Sequence, residues 1–509
     1  MSGVLRSDLE TLPELLAARG RELADERFVR DATVTWTYAE FAFRVTEIAA
    51  GLRARGVRAG DVVGVLLPNG PEYLEVWWAT LWLGAVFNPV NPALTLREVV
   101  DIVGDSGART IVCSADRVDD FGDADLPALQ DVIGVRHGET DPLSELRSDG
   151  TVDDHADIGP DDLMSLVYTS GTTGRPKGAM LSHRNFLSDT RMLAELVPAV
   201  RGDTLGMVLP LFHVNAQLVT TVMPLLMGAN VAMWERFSAS TFWETVREFE
   251  PVTFSAVPTM LAALFHAPGA EQAEAGNSIR YVICGAAPLS PAMFRRFEEK
   301  FGIAVLEGYG LTEGACCSTL NSFYGPRKIG SIGVPVRNQR LEIRGPDGKE
   351  LPRGEAGEVC VSGPNVMQGY YNRPDATAEA LRDGWLHTGD VGYQDADNFV
   401  FLVDRVKDMI IRGGENIYPR EIEDALLELD GVKECAVVGR PHEVRGEEVH
   451  AVVVLAEGLD LEAVQAHAGA RLAKYKVPQS WDVIAEIPKT STGKIDKKPL
   501  REALRGSVA

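Results

Sequence analysis

Between about residues 33 and 310, short apolar, β-rich runs alternate with longer stretches whose apolar residues recur every three or four positions. VVGVLLP (62–68) precedes PEYLEVWWATLWLGA, LGMVLPL (205–211) precedes QLVTTVMPLLMGA, VAMW (231–234) precedes TFWETVREF, and YVICG (281–285) precedes PAMFRRFEEKF. Strand followed by helix, repeated, predicts right-handed parallel crossovers and a layered α/β core. Open sheets of this kind collect ligands at the carboxyl ends of their strands, so motifs directly after these runs carry the most weight.

From about 329 to 403 the texture changes to short strands with turn residues at close spacing (SIGVPV, RLEIRGPDGK, GEVCVSGP, GWLHTGDVGYQD), which predicts a small β-barrel-like subdomain. After Arg405 the pattern becomes helix (PREIEDALLEL), strand (ECAVVGR), strand (HAVVVLA), helix (DLEAVQAHAGARL) and strand (SWDVIAE), a compact α+β module. The predicted organisation is a large N-terminal α/β domain over 1–404, including the barrel-like part, and a small α+β domain over 405–509. The acidic, Gly- and Asp-rich stretch 117–162 reads as a variable surface connection without an assigned function.

With 509 residues, 45% hydrophobic and 24% charged, the chain has the balance of a folded protein with buried cores. Its formal net charge of −23 excludes the basic face that nucleic acid or an anionic membrane surface demands, so an anionic ligand needs a local positive site. The tail from Lys474 to Arg505 is basic within this acidic protein and reads mostly as a solvated face. Six cysteines without a CxxC read as buried free thiols in a reducing cytoplasm. No signal core is visible, and the longest greasy stretch, Val219 to Trp234, is broken by Pro224, Gly228 and Asn230, so neither export nor a membrane span is expected.

After the run LMSLVYT comes Thr169-Ser170-Gly171-Thr172-Thr173-Gly174-Arg175-Pro176-Lys177-Gly178. Its glycines and hydroxyl residues allow a tight backbone wrapped around a polyanion, with Lys177 supplying charge; it is not a Walker A loop. The decapeptide resembles the phosphate-binding signature of the adenylate-forming superfamily, which contains acyl-CoA synthetases, adenylation domains of peptide synthetases, and luciferases. Further signatures occur in the family's order: Cys284-Gly285-Ala286-Ala287-Pro288, Tyr309-Gly310-Leu311-Thr312-Glu313, Thr388-Gly389-Asp390, Asp404-Arg405-Val406-Lys407-Asp408, Gly413-Gly414-Glu415-Asn416-Ile417, and Pro488-Lys489-Thr490-Ser491-Thr492-Gly493-Lys494.

The resemblance implies ATP, Mg²⁺ and coenzyme A as reactants and cofactor, and assigns roles residue by residue. Thr169 to Gly174 and Lys177 would cradle phosphates, with Thr312 beside them and Glu313 and Thr169 at the metal, where one carboxylate suffices for Mg²⁺. Tyr309, flanked by Gly308 and Gly310, would lie against adenine, with Gly285, Ala286 and Ala287 as the adjoining wall. Asp390 and Arg405 would contact the ribose, Lys407 would be the hinge, and Gly413, Gly414 and Glu415 would line a tunnel for coenzyme A. Lys494 would be delivered by the small domain to neutralise the attacking carboxylate and the α-phosphate.

The segment Leu209 to Gln217 resembles the family's acid pocket, placing Phe212, His213 and Asn215 there with Val257, Gly310 and Cys316. Asn215 and Gln217 depart from the apolar continuation of many fatty-acid and aryl ligases, and with WERFSASTFWE the segment is similar to crotonobetaine/carnitine-type ligases; Arg236 is a candidate partner for a second carboxylate. The expected activity is an AMP-forming acid–CoA ligase in which Lys494, Thr312, Glu313 and His213 are catalytic. Two alternatives stay open: a stand-alone enzyme loading a carrier-protein thiol in trans, and a nucleotide-binding scaffold that has lost catalysis. Whether the chain pairs as a homodimer, and which acid it uses, the sequence leaves open.

Overall fold

The computed structural model describes residues 8–169, 176–405, 408–412, 415–442, 445–489 and 495–506. The chain forms two compact units, Met1–Leu341 with Val361–His387, and Glu342–Cys360 with Thr388–Ala509. This division differs from the expected one after residue 404, because strand Val400–Arg405 pairs with the strand before it from Gln394↔Val400 to Asp390↔Arg405. That ladder lies within the second unit, from Thr388 onward.

The first unit contains two mixed sheets. In one, Ala304–Tyr309, Tyr281–Cys284, Thr253–Ala256, Thr204–Met207, Asn230–Met233 and Arg27–Arg30 run parallel in that spatial order, edged by the antiparallel strands Thr319–Leu320 and Val334–Pro335 on one side and Thr35–Thr37 on the other. In the other, Leu163–Thr169, Val86–Pro89, Val62–Leu66, Thr110–Ser114 and Asp131–Val135 run parallel, and Lys177–Ser182 and Gly369–Tyr370 continue the sheet antiparallel. The predicted strands and helices lie where the patterns put them. Tyr281–Cys284 and Val62–Leu66 are buried along their whole length, as strands covered on both faces must be. Helices start at side-chain caps such as the reciprocal Thr37/Glu40 and Thr95/Glu98 boxes.

Two expectations change. Val334–Pro335 and Gly369–Tyr370, assigned by spacing to a barrel-like subdomain, pair instead with Thr319–Leu320 and Lys177–Ser182. The stretch 117–162 is part of the first unit's packing: Asp131–Val135 extends the parallel sheet, and Leu143, Leu146 and Val152 are buried. Its Arg147 bridges Glu47, Glu75 and Asp141 at 3.0, 3.1 and 2.9 Å. Burial raises the Glu75 carboxyl, and the guanidinium groups of Arg44 and Arg147 oppose that shift. The helix Tyr38–Ala54 comes so close that a Cβ on Gly51 would lie 1.7 Å from the Leu146 carbonyl oxygen.

In the second unit, Val432–His442 and Gly446–Leu455 form a long antiparallel ladder, joined by Ile410–Arg412 and Ser480–Val483. Alternation decides its two faces: Val449, Ala451 and Val453 pack with Ile422, Leu426 and Val464, whereas Val452 and Val454 pack with Ile487 and Leu500. Leu500 belongs to the terminal helix Lys497–Gly506, which the sequence pattern did not announce. Four cations of the basic tail pair within the second unit, in Lys476–Glu421, Lys489–Glu434, Lys497–Glu423 and Arg501–Asp408 at 2.6, 2.5, 2.8 and 2.7 Å. All six cysteines are free, Cys316 half-buried and the others buried.

Candidate active site at the strand ends

Within the first unit, the carboxyl ends of parallel strands from both sheets supply polar groups to one place. Thr169 closes Leu163–Thr169 and is the register partner of Lys177, the first residue of Lys177–Ser182. Glu313 lies in the single turn Thr312–Gly314 just past Ala304–Tyr309. The Thr169 hydroxyl donates to Glu313 Oε1 at 3.4 Å, joining the two sheets, and the Tyr370 hydroxyl donates to the same oxygen at 2.7 Å. The Lys177 ammonium lies over the Tyr370 ring, 5.1 Å from its centre. Among the described residues, both hydrogen bonds to this carboxylate fall on Oε1, so Oε2 can accept a hard cation.

Small residues let the neighbouring strand ends approach. A Cβ on Gly285 would stand 2.9 Å from the Gly308 carbonyl oxygen, and one on Gly310 only 1.5 Å from that of Cys316. Ala286 and Ala315 hold left-handed φ angles of 67° and 64°, a strain found where surrounding structure over-determines a loop. The loop after Tyr309 closes on itself through Ser318 N–H to Tyr309 O at 2.8 Å. It is fixed from behind by buried Asp189, whose Oδ2 accepts the Cys317 N–H at 2.8 Å, and by Asn365, whose amide donates to Gly314 O at 3.0 Å. Tyr309 and Thr312 are half-buried, and Ala286 and Ala287 are exposed.

The acid segment runs from strand Thr204–Met207 into Val214–Gln217, which continues through a π-helical stretch, Leu218–Val222. Its turn is held by Asn69, which donates to Leu209 O and Trp234 O at 3.0 and 3.3 Å and accepts from Leu211 N–H at 2.8 Å. The Phe212 and His213 rings, both half-buried, lie 4.4 Å apart. Gln217 is fully buried: its amide N–H donates to the Leu211 carbonyl at 2.8 Å, a latch on its own segment, while its Oε1 is unpartnered among the described residues. Asn215 is half-buried, with Oδ1 enclosed and unpartnered among the described residues. Val257, the residue before helix Pro258–Leu264, packs with Leu209 on one apolar cluster, while Cys316 touches Gly310 through the backbone.

In the second unit, Asp390 and Arg405 are register partners and form an ion pair at 2.9 Å, with Asp390 buried. Glu415 belongs to strand Glu415–Ile417. Ser170, Gly171, Thr172, Thr173, Gly174, Lys407, Gly413, Gly414 and Lys494 lie outside the described residues. Sequence reasoning missed Tyr370, Asn69 and Asp189. None of the three belongs to a recognised motif, and only pairing across elements reveals its use.

A model of the AMP-binding enzyme family matches residues 16–371, and one of the AMP-binding enzyme C-terminal domain matches 421–494. The chain is 40% identical over 476 residues to a feruloyl-CoA synthase of an Amycolatopsis species, covering 93% of this chain and 95% of that protein. It is 37% identical over 501 residues to the sulfoacetate–CoA ligase of Cupriavidus necator, covering 96% and 97%. The structure of ATP-bound MatB from Rhodopseudomonas palustris superposes with a TM-score of 0.92 at 32% identity, covering 98% of this chain and all of that one.

Proposed function

The chain belongs to the AMP-binding enzyme family, and from that membership we propose that it is an acid–CoA ligase: a carboxylate attacks the α-phosphate of ATP to give acyl-AMP and pyrophosphate, and the thiol of coenzyme A then takes the acyl group and releases AMP. Relatives named as CoA ligases along nearly the whole chain support coenzyme A as the acceptor. The observation that carries the reading is the meeting of Thr169, Glu313 and the Lys177 ammonium at the strand ends. This group offers a hydroxyl donor, a carboxylate and a positive charge to a triphosphate in a protein of net charge −23.

The residues fit a divalent ion, since Glu313 keeps one oxygen for it. Bound there, Mg²⁺ would offset charge on the departing pyrophosphate. Lys177 would hold the phosphates, Tyr309 would carry the adenine on its ring, and Gly310 would allow the acyl carbonyl to approach backbone. The acid would enter past Phe212 and His213, with Asn215, Val257 and Cys316 reading its far end. The roles the family motifs imply for Asp390, Arg405, Lys407, Gly413, Gly414, Glu415 and Lys494 are part of this proposal. No protein nucleophile is needed, because the mixed anhydride stores the activation and the protein supplies alignment and charge.

The test is a panel of aryl, sulfonated, long-chain and dicarboxylic acids, scored for acid-dependent pyrophosphate release and for thioester formed with coenzyme A. At least one acid should drive both. Pyrophosphate release with no thioester would remove coenzyme A as the acceptor, and release by no acid would remove the ligase.

A further inference from the structure

The strand Gly369–Tyr370 lies at the edge of the sheet beside Lys177–Ser182, and its neighbours fix it closely. Gln368 N–H donates to Met180 O at 2.9 Å, Tyr371 N–H to Gly178 O at 2.8 Å, and Tyr370 N–H to the Thr377 hydroxyl at 2.9 Å. The same segment grips Glu313 twice: Met367 N–H donates to its carbonyl at 2.8 Å, and the Tyr370 hydroxyl donates to its carboxylate at 2.7 Å. The ring carrying that hydroxyl lies beneath the Lys177 ammonium.

We propose that Tyr370 is a positioning residue that sets Glu313 and Lys177 in one arrangement, its hydroxyl aiming the carboxylate and its ring seating the ammonium. The inference rests on the reading of Glu313 as the divalent-ion ligand and Lys177 as a triphosphate partner. The terminal torsion of a glutamate is broad, so a carboxylate without a fixed partner presents its oxygens in many directions. With Oε1 occupied by Tyr370 and Thr169, Oε2 is the oxygen left for the ion.

The ring does the complementary work. A lysine that swung onto Glu313 would neutralise the carboxylate the ion requires. A separation of 5.1 Å is within cation–π range, so the ring gives the ammonium a resting place that leaves the carboxylate to the cation.

The experiment uses the full chain without acid, so that nothing turns over. Mn²⁺ is titrated with enzyme in excess over ATP and bound Mn²⁺ is read by its paramagnetic resonance signal, while ATP affinity in chelator is read by calorimetry. Tyr370→Phe should raise the half-saturating Mn²⁺ concentration about 10-fold or more, as loss of a ligand's hydrogen-bond partner generally does, and leave metal-free ATP affinity within about twofold. Tyr370→Leu should weaken metal-free ATP binding as well, by about threefold, because the ammonium loses its seat. Glu313→Gln is the control. If Glu313→Gln shifts the Mn²⁺ curve and Tyr370→Phe does not, the role of the hydroxyl is overturned while the reading of Glu313 stands. If Glu313→Gln shifts nothing, that reading falls and the inference with it. Equal metal-free ATP affinities for the Phe and Leu variants would overturn the role of the ring.

Discussion

Replacing Asn69 by Ala examines whether one buried amide holds the acid segment in place. Asn69 follows strand Val62–Leu66 of one sheet and bonds the backbone after two strands of the other, at Leu209, Leu211 and Trp234. It is 8% exposed, and its bonds to Leu211 and Trp234 are buried while that to Leu209 is part-buried. Each buried group left unpaired costs about 1–3 kcal/mol, but the gap left by an amide admits water that recovers part of this, so the expected loss is about 3 kcal/mol. Asn69→Asp keeps the acceptor for Leu211 N–H but sets a carboxylate against two carbonyl oxygens. Its pKa in the fold is raised, so its extra penalty is present at neutral pH and disappears as pH falls below the ordinary carboxylate value of about 4. Chemical denaturation measures the loss. Pyrophosphate release at varied acid and varied ATP should show KM for the acid rising more than KM for ATP, because the segment carries Phe212, His213 and Asn215. An Asn69→Ala variant within about 0.5 kcal/mol of the parent, with an unchanged acid KM, would refute the argument.

Gly51→Ala should destabilise the first unit by about 2 kcal/mol or more, since the new methyl falls on the Leu146 carbonyl oxygen; an unchanged denaturation midpoint would return 117–162 to the status of a loose connection. His183 is 2% exposed and accepts the Leu12 N–H at 3.3 Å, and burial pushes its imidazole down to about 4. The unfolded chain therefore binds the extra proton first. Stability attached to this residue should fall by about 3 kcal/mol as pH drops from 6.5 to 4, whereas His183→Asn, which can still accept the bond, should lose less over the same window in paired urea melts. Lys494→Ala should cripple acid-driven pyrophosphate exchange yet still convert synthetic acyl-AMP and coenzyme A to thioester; equal losses in both assays would deny the residue a role confined to the first half-reaction.

The parallel strands were legible because burial on both faces leaves near-continuous apolar runs, such as VVGVL and YVIC, followed by helices with a different period. The two-residue strands were not. Val334–Pro335 and Gly369–Tyr370 carry no period of their own and are defined by the partner they meet, which is how a spacing argument placed them in the wrong sheet. Composition misled over 117–162 for a related reason. Its buried Leu143, Leu146 and Val152 are separated by polar and acidic residues and fill the first unit's interior singly, and the short run Asp131–Val135 that becomes a strand is outweighed in composition by the acidic residues around it. The terminal helix is similar: Leu500 is among the few apolar residues of a basic stretch, and the cations around it are matched by carboxylates distant in sequence.

The site divides along the same line. The residues to which the family resemblance assigns a ligand, such as Thr169, Lys177 and Glu313, sit in short motifs and are legible from the order of those motifs along the chain. Residues that hold those motifs in place have no motif, because their partners are backbone groups of irregular loops. Such loops carry N–H and C=O groups that no helix or sheet satisfies, and close to a water-excluding site these must be met by side chains. Asn69, Asp189, Gln217 and Asn365 do this for the loops at 209–217 and 310–317. Gln217 looked like a specificity residue because it is polar among apolar neighbours, yet that is also how a backbone latch must look in sequence. The distinction lies in position relative to unsatisfied backbone: a buried amide or acid beside a turn at a strand end is first owed to that turn, and its second polar atom can be left over, as Gln217 Oε1 and Asn215 Oδ1 are among the described residues.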